Sequence, residues 1–145
     1  ILAITARARA VSTAPRRLAL VAHDTRKAQL RAWVLRHRAA LSGHRLICTG
    51  GTGRMLHELA PELEIRRLQR GDRGGDQQLG ALVATGELDA AIFFADPTVP
   101  HGGDADLQAL TRLAMLHDVP LALSTSAADM LAAALLSAAR EPIQV

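Results

Sequence analysis

Four side chains that can exchange protons follow apolar runs of this 145-residue sequence. His23 comes directly after residues 18–22, Asp76 comes after residues 65–68 and a glycine-containing turn, and His101 and Asp104 follow residues 90–95. A histidine at the end of a strand can donate a hydrogen bond to a substrate oxygen. A partly desolvated carboxylate can remove a proton as a general base. These residue types indicate proton-transfer chemistry on a small molecule.

Each of these residues also has a structural interpretation, and residue by residue both remain open. Asp76 follows two glycines and can be the N-cap of the next helix, which is the simpler interpretation when it is taken alone. His101 and Asp104 can be solvated residues of a loop rich in proline and glycine, and His23 can be a structural hydrogen bonder. Four further histidines fall within or beside helical patterns and are interpreted as structural: His37, His44, His57 and His117.

The segment from Thr49 to Gly53 is a candidate phosphate site. It would lead from a strand into a helix, where unpaired backbone N–H groups and the helix dipole favour an anion and small residues permit its close approach. Lys27, in the first turn of the preceding helix, can add a point charge. Glycine and threonine are equally ordinary turn residues, and Lys27 can be a solvated surface lysine. Neither a P-loop nor a GxGxxG fingerprint is present, which disfavours ATP and NAD.

The apolar pattern predicts a doubly wound α/β fold, with a five-stranded parallel sheet flanked by helices. The predicted strands are residues 18–22, 46–48, 65–68, 90–95 and 119–123. Nearly all-apolar strands that alternate with helices are typical of parallel sheets covered on both faces, where ligands bind beyond the carboxyl ends of the strands. A last helix over 127–139 follows hydroxyl N-cap candidates at 124–126. The helix faces are predicted from residues at helical spacing: Leu30, Trp33, Val34, Leu41, Leu79, Leu82, Val83, Leu107, Leu110, Ala114 and His117.

Composition narrows the classes of partner. The formal net charge is only +3, there is no tyrosine, and the other aromatic residues are Trp33, Phe93 and Phe94. Nucleic-acid binders usually have stacking aromatics or a concentrated basic stripe, so we expect no nucleic-acid partner. No apolar run approaches the roughly 18 residues of a transmembrane helix, so we expect no membrane partner. Without close His/Cys/Glu spacing, no metal site is expected.

The sequence also suggests a compartment and a domain organisation. The single cysteine, Cys48, lies in an apolar run and cannot form an intramolecular disulfide, which fits a reducing compartment. We expect a cytoplasmic protein. Residues 1–15 are expected to be a loosely ordered N-terminal extension, and residues 16–145 a single domain.

Five segments, taken together and in order, resemble the methylglyoxal synthase family. They are Ala19 to Asp24 with Lys27, Thr49 to Gly53, Gly74 to Gln78, Phe93 to Pro97, and Val99 to His101 with Asp104. The resemblance covers roughly residues 18–126. It implies a five-stranded parallel sheet, a homo-oligomer that is commonly a hexamer, and conversion of dihydroxyacetone phosphate to methylglyoxal and inorganic phosphate without a cofactor.

The resemblance also implies roles for individual residues. Asp76 would be the base that removes a proton beside the carbonyl, and His23 and His101 would donate hydrogen bonds to the substrate and the developing enediolate. Asp96 and Asp104 would assist proton transfer or orient the histidines. The phosphosugar substrate, including its phosphate, would be bound by His23, Lys27, Thr49, Gly51, Thr52, Arg70, Gly71 and His101.

The chain departs from the family pattern in its loops. The family usually has threonine at Gly51, a small hydroxyl residue at Arg70, and an Asp-Pro pair at positions 102–103, where this chain has Gly-Gly. Arg70 can form a bidentate phosphate contact or point to solvent. Asp106 competes with Asp104 for its role, and the aromatic-bearing C-terminal tail of the family is absent.

Two other functions are compatible with this resemblance. The same fold serves as a non-catalytic module that binds small anionic effectors, as in the allosteric domain of carbamoyl-phosphate synthetase. Retention of Asp76, His101 and Asp104 favours catalysis, because a binding module needs the phosphate site but not the base. A different phosphosugar lyase or isomerase could use the same phosphate site.

Overall fold

The structure, a computed structural model, describes residues 14–98 and 104–136, with side chains described outside 104–106. Its centre is a sheet of five parallel strands in the order β3-β2-β1-β4-β5. The chain runs from β1 outward to β3 and then crosses to β4 on the other side of β1. The switch in direction therefore lies between β1 and β4, where ligand sites of open α/β sheets form. The strands are β1 (Arg17–Ala22), β2 (Arg45–Cys48), β3 (Glu64–Arg67), β4 (Ala90–Phe94) and β5 (Leu121–Ala122).

Helices cover both faces of the sheet, which confirms the predicted doubly wound α/β fold. They are α1 (Lys27–Leu41), α2 (Gly50–Leu59), α3 (Gly75–Ala84), α4 (Asp104–Leu116) and α5 (Thr125–Leu135). One core contains residues of α1, α2 and α5, and the other contains residues of α3 and α4. Two short 3-10 turns, Asp24–Arg26 and Gly71–Arg73, precede α1 and α3 at the same edge of the sheet.

The central strands are apolar on both sides because each side faces a helix layer. In β1, Leu18 and Leu20 pack in the core with α1, whereas Ala19 and Val21 pack in the core with α3. All four side chains are buried. Truncation of a buried leucine of this kind to alanine costs about 2–5 kcal/mol. This packing fixes the position of the turn that follows β1.

The ends of some predicted elements differ from the structure. The last strand contains only residues 121–122, and α4 ends at Leu116, so His117 is exposed and not on the buried helix face. The chain reverses just beyond, at Asp118, whose φ is 53°. Ser124 is the N-cap of α5, and its Oγ accepts a hydrogen bond of 3.2 Å from the backbone N–H of Ala127.

Some expectations concern parts of the chain that the structure leaves undescribed. The extension expected over residues 1–15 lies almost wholly outside the described residues, as does the predicted helical segment 137–139. Among the helices within 14–98 and 104–136, none is long and apolar enough to cross a membrane.

Candidate active site

An open cavity of about 560 Å³ lies at the carboxyl ends of the strands. Its walls come from the turns after β1, β2 and β3, and its floor includes Val21, Ala22 and Phe93. The structure brings most of the predicted site residues together there: His23, Lys27, Thr49, Gly51, Thr52, Arg70, Gly71 and Asp76. A small phosphorylated molecule fits a space of this size.

One wall of the cavity is the N-terminal turn of α2. Thr49 is its N-cap, in extended conformation and without a side-chain capping hydrogen bond. Thr52 is 1% exposed, and its Oγ1 has no hydrogen-bond partner among the described residues. A buried hydroxyl left unpaired costs about 1–3 kcal/mol, so this group suits a ligand oxygen. Together with the helix dipole, it makes this wall suited to an anion.

Two cations line the mouth of the cavity, and each is paired with an exposed carboxylate. Lys27 Nζ lies 2.9 Å from Asp24 Oδ1, and Arg70 Nη2 lies 2.9 Å from Asp72 Oδ2. The Arg70 side chain is 65% exposed, so this pair is well solvated and weak. A doubly charged phosphate can compete for both cations.

Asp76 lies in the first turn of α3, but it is not the N-cap. Gly74 holds that position with φ 99° and, as a glycine, has no side chain with which to cap the helix. A Cβ on Gly75 would lie 2.0 Å from the carbonyl oxygen of Gln69. These two backbone requirements explain the paired glycines and place Asp76 in the cavity wall. Its Oδ2 lies 3.2 Å from where a Cβ on Gly71 would stand, so the carboxylate faces the turn after β3.

His23 joins the exits of β1 and β4. Its backbone N–H donates to the carbonyl of Phe94 at 3.1 Å, and its Nδ1 accepts a 3.0 Å hydrogen bond from the backbone N–H of Asp96. The ring also contacts Phe93 edge-on, with centroids 5.1 Å apart. An Nδ1 that accepts from a backbone N–H carries no proton, so the neutral ring holds its proton on Nε2. The imidazole is thereby a hydrogen-bond donor through Nε2.

Asp96 is buried behind this histidine. Its carboxylate accepts hydrogen bonds of 2.6 Å from the hydroxyls of Thr25 and Thr98, and 2.9 Å from the backbone N–H of Thr98. These bonds, Thr25 first, and the nearby Arg26 guanidinium hold the pKa of the Asp96 carboxyl well below its usual range, against the opposing effect of burial. A carboxylate that stays ionised in this way suits an orienting role better than proton transfer.

The side chains of two predicted site residues lie outside the described part of the chain. His101 lies outside the described residues, and Asp104 begins α4 but its side chain is not described, as is also true of Asp106. In the described part of the chain, no group of three or more His, Cys, Asp or Glu side chains could hold a metal.

Three site residues escaped the prediction. Asp24 and Asp72 line the cavity as partners of the two cations, and Thr25 binds Asp96. The three-residue spacing of Asp24 and Lys27 is a signal that could have revealed the first pair. The contact from Thr25 to Asp96 spans 71 positions, and no local pattern encodes it.

Comparison with known proteins agrees with this geometry. Residues 32–123 match the MGS-like domain family. The methylglyoxal synthase of Pseudoalteromonas atlantica is 52% identical over 114 residues, which cover 79% of this chain and 84% of that protein. The chain belongs to the methylglyoxal synthase family. The methylglyoxal synthase of Rhizobium etli is 46% identical over 111 residues, covering 77% of this chain and 88% of its own.

A solved structure supports the same relationship. The crystal structure of methylglyoxal synthase from Elizabethkingia anophelis superposes with a TM-score of 0.77 at 38% identity, covering 84% of this chain and 79% of that one. The segment that matches the MGS-like domain, residues 32–123, includes Thr52, Asp76 and Asp96, whereas His23 and Lys27 precede it.

Proposed function

We propose that this chain is a methylglyoxal synthase, which converts dihydroxyacetone phosphate to methylglyoxal and inorganic phosphate. The observation that carries the proposal is that one cavity is lined by a carboxylate, Asp76, and by an anion site with an unpaired buried hydroxyl, Thr52. A base and a phosphate site in the same small space are what a phosphate-eliminating lyase requires. Family membership supports the same reaction.

Asp76 acts as the base. It takes a proton from the hydroxymethyl carbon of the substrate, and the electron pair of that C–H bond forms the enediolate. The C=C electrons of the enediolate then shift to form a new C=C bond to the phosphate-bearing carbon, and the C–O bond to phosphate breaks. At the same time the hydroxyl of the deprotonated carbon becomes the aldehyde C=O and its proton passes to the departing phosphate or to solvent, so that inorganic phosphate and the enol of methylglyoxal are released. Protonation of the enol carbon gives the methyl group of the product. Asp76 lies in the first turn of α3, and a carboxylate there is an effective general base only when it is partly desolvated, so the bound substrate must exclude water from it.

The phosphate is both the handle for binding and the leaving group. The Thr52 hydroxyl and the backbone N–H groups of Gly51 and Thr52 bind its oxygens, whereas the Gly50 N–H already donates to the carbonyl of Gln69. Lys27 and Arg70 supply positive charge at the mouth of the cavity. These groups also stabilise the charge that develops when the C–O bond breaks.

His23 polarises the substrate carbonyl. Because its Nδ1 accepts the Asp96 backbone N–H, the neutral ring carries its proton on Nε2 and donates a hydrogen bond from Nε2 to the carbonyl oxygen and, later, to the enediolate oxygen. A neutral imidazole can stabilise that oxyanion without giving up its proton completely. By resemblance, His101 is the second donor, and Asp104 assists proton transfer.

Four further features belong to the same proposal: substrate class, cofactor use, compartment and assembly. The substrate is a small phosphosugar, the reaction uses no metal or organic cofactor, and the protein works in the cytoplasm. The buried single cysteine, Cys48, is compatible with a reducing compartment. The assembly is a homo-oligomer, a hexamer by resemblance to the family.

The experiment compares wild type with two carboxylate variants that make the same change in charge. Asp76 and Asp72 both line the cavity, but Asp72 is exposed and paired with Arg70. Purified proteins are incubated with dihydroxyacetone phosphate, without metal or cofactor, and methylglyoxal and phosphate are quantified. We expect wild type to release methylglyoxal and phosphate in equal amounts. Asp72→Asn should do the same with a kcat similar to that of wild type. Asp76→Asn should lose about 100- to 10,000-fold in kcat, the usual contribution of a general base.

Phosphate binding by the Asp76→Asn protein, measured by calorimetry, distinguishes loss of the base from loss of the site. We expect this binding to be retained or strengthened, because a negative charge has been removed beside the anion. A folded wild type that binds phosphate but forms no methylglyoxal would instead favour the small-anion-binding module.

A further inference from the structure

Thr25 lies in the turn after β1, two residues beyond His23, and its hydroxyl donates to Asp96 Oδ2 at 2.6 Å. The two residues come from the exits of neighbouring strands, β1 and β4. Hydrogen bonds to a carboxylate at this distance are charge-assisted and stronger than neutral ones. Thr25 thus ties the turn after β1 to the turn after β4 through side chains.

The same Asp96 makes the contact that determines the His23 tautomer. Its backbone N–H donates to His23 Nδ1 at 3.0 Å, while its side-chain Oδ2 accepts the hydrogen bond from the Thr25 hydroxyl. The backbone and side chain of one residue therefore link Thr25 to the imidazole. If the Asp96 backbone turns away, Nδ1 loses its donor and either ring nitrogen can carry the proton.

The other partners of Asp96 cannot replace this link. Thr98 bonds Oδ1 through its hydroxyl and its backbone N–H, but it lies in the same turn, two residues on. Those bonds shape the turn without tying it to β1. Arg26 does come from the β1 side, but its Nη2 is 3.6 Å from Oδ1, too far for a good hydrogen bond.

We propose that Thr25 is a positioning residue, which holds Asp96 so that its backbone N–H keeps His23 in the Nε2-protonated tautomer. The inference rests on the proposed function for its effect on turnover, but its structural content is independent of the reaction. Thr25 itself is exposed, so its hydroxyl can be removed without opening a buried cavity.

The test compares Thr25→Val, which keeps the shape but removes the hydroxyl, with Thr25→Ser, which keeps the hydroxyl. Thr111→Val is the control, because the Thr111 hydroxyl donates to the carbonyl of Leu107 within α4, away from the site. Imidazole nitrogen chemical shifts of His23 are measured by ¹⁵N NMR, alongside kcat and KM for dihydroxyacetone phosphate. Thr25→Ala provides a second hydroxyl-free variant should the valine protein not fold.

We expect the valine variant to show a mixture of His23 tautomers and to lose about tenfold in kcat, with KM changed less than twofold. The serine variant and the control should match wild type in both measurements. An unchanged His23 tautomer in folded Thr25→Val, or equal defects in the serine and valine variants, would overturn the proposal. If wild type forms no methylglyoxal, the proposed function fails, whereas the nitrogen shifts still decide the role of Thr25.

Discussion

Lys27 extends from the start of α1 to the start of α2, where its Nζ lies 2.8 Å from the position that a Cβ on Gly51 would occupy. In this chain the missing side chain leaves room for the ammonium group beside the first turn of α2. Gly51 therefore leaves the space in which the Lys27 ammonium lies beside the proposed phosphate site.

Replacement of Gly51 by alanine should weaken phosphate binding without destabilising the fold. The new Cβ meets the far end of a flexible side chain, so Lys27 moves and the backbone does not. Alanine in a helix is favoured over glycine by about 1 kcal/mol, so the free energy of unfolding should be unchanged or raised. Displacement of the ammonium should raise the Kd for phosphate by roughly three- to tenfold, as measured by calorimetry.

A double-mutant cycle provides the control for the Gly51→Ala variant. Lys27→Met should raise the Kd by about 10- to 100-fold, and the double variant should bind no more weakly than Lys27→Met alone. Additive effects of the two substitutions would show that Gly51 acts on phosphate independently of Lys27.

The turn before Asp76 should tolerate replacement of its glycine far less well than the position of Gly51 does. A Cβ on Gly75 would lie 2.0 Å from the backbone oxygen of Gln69, and backbone cannot move aside as a lysine can. We expect Gly75→Ala to lower the free energy of unfolding by about 3 kcal/mol or more, measured by urea denaturation. Gly43→Ala is the control, since Gly43 has φ +88° but no atom within 4 Å, so only backbone strain of about 1–2 kcal/mol applies. Equal losses in the two variants would contradict this account.

Burial raises the pKa of the Cys48 thiol to about 12, against a smaller opposing hydrogen bond from the Leu20 backbone. The thiol in the unfolded chain ionises near pH 8.5. Between these values the folded state keeps a proton that the unfolded state loses, so Cys48 should lower stability as pH rises. The slope should approach about 1.4 kcal/mol per pH unit well above pH 8.5.

Urea denaturation between pH 8 and 10.5 measures this slope, and Cys48→Ala should show a shallower one. A thiol reagent at pH 9 should modify Cys48 only after denaturant is added. Rapid modification of the native protein would be inconsistent with the buried, protonated thiol.

The strands and the sheet class could be predicted because burial on both faces leaves a direct signal, namely runs such as residues 18–22 with no polar alternation. Their ends were harder to predict. The pattern around His117 continues a helical face, but α4 ends one residue earlier because the chain turns at Asp118 with positive φ. Such a turn depends on backbone conformation that an aspartate permits without requiring.

The site could be predicted where its residues directly follow strands, as His23 and Thr49 do, since topology alone brings these positions to one edge. Asp76 was ambiguous because a carboxylate after glycines suits an N-cap as well as a base. The structure places the N-cap at Gly74, which excludes that position for Asp76, while its role as the base stays a prediction. Thr25 was missed because its partner Asp96 is distant in sequence.

The most direct test of the central claim is proton NMR of dihydroxyacetone phosphate incubated with the wild-type protein in D₂O. Elimination from an enediolate, followed by protonation of the enol by solvent, predicts methylglyoxal with one deuterium in its methyl group and one inorganic phosphate for each molecule formed. Recovery of a phosphorylated three-carbon isomer, or of unreacted substrate from a folded protein that binds phosphate, would contradict the assignment as a methylglyoxal synthase.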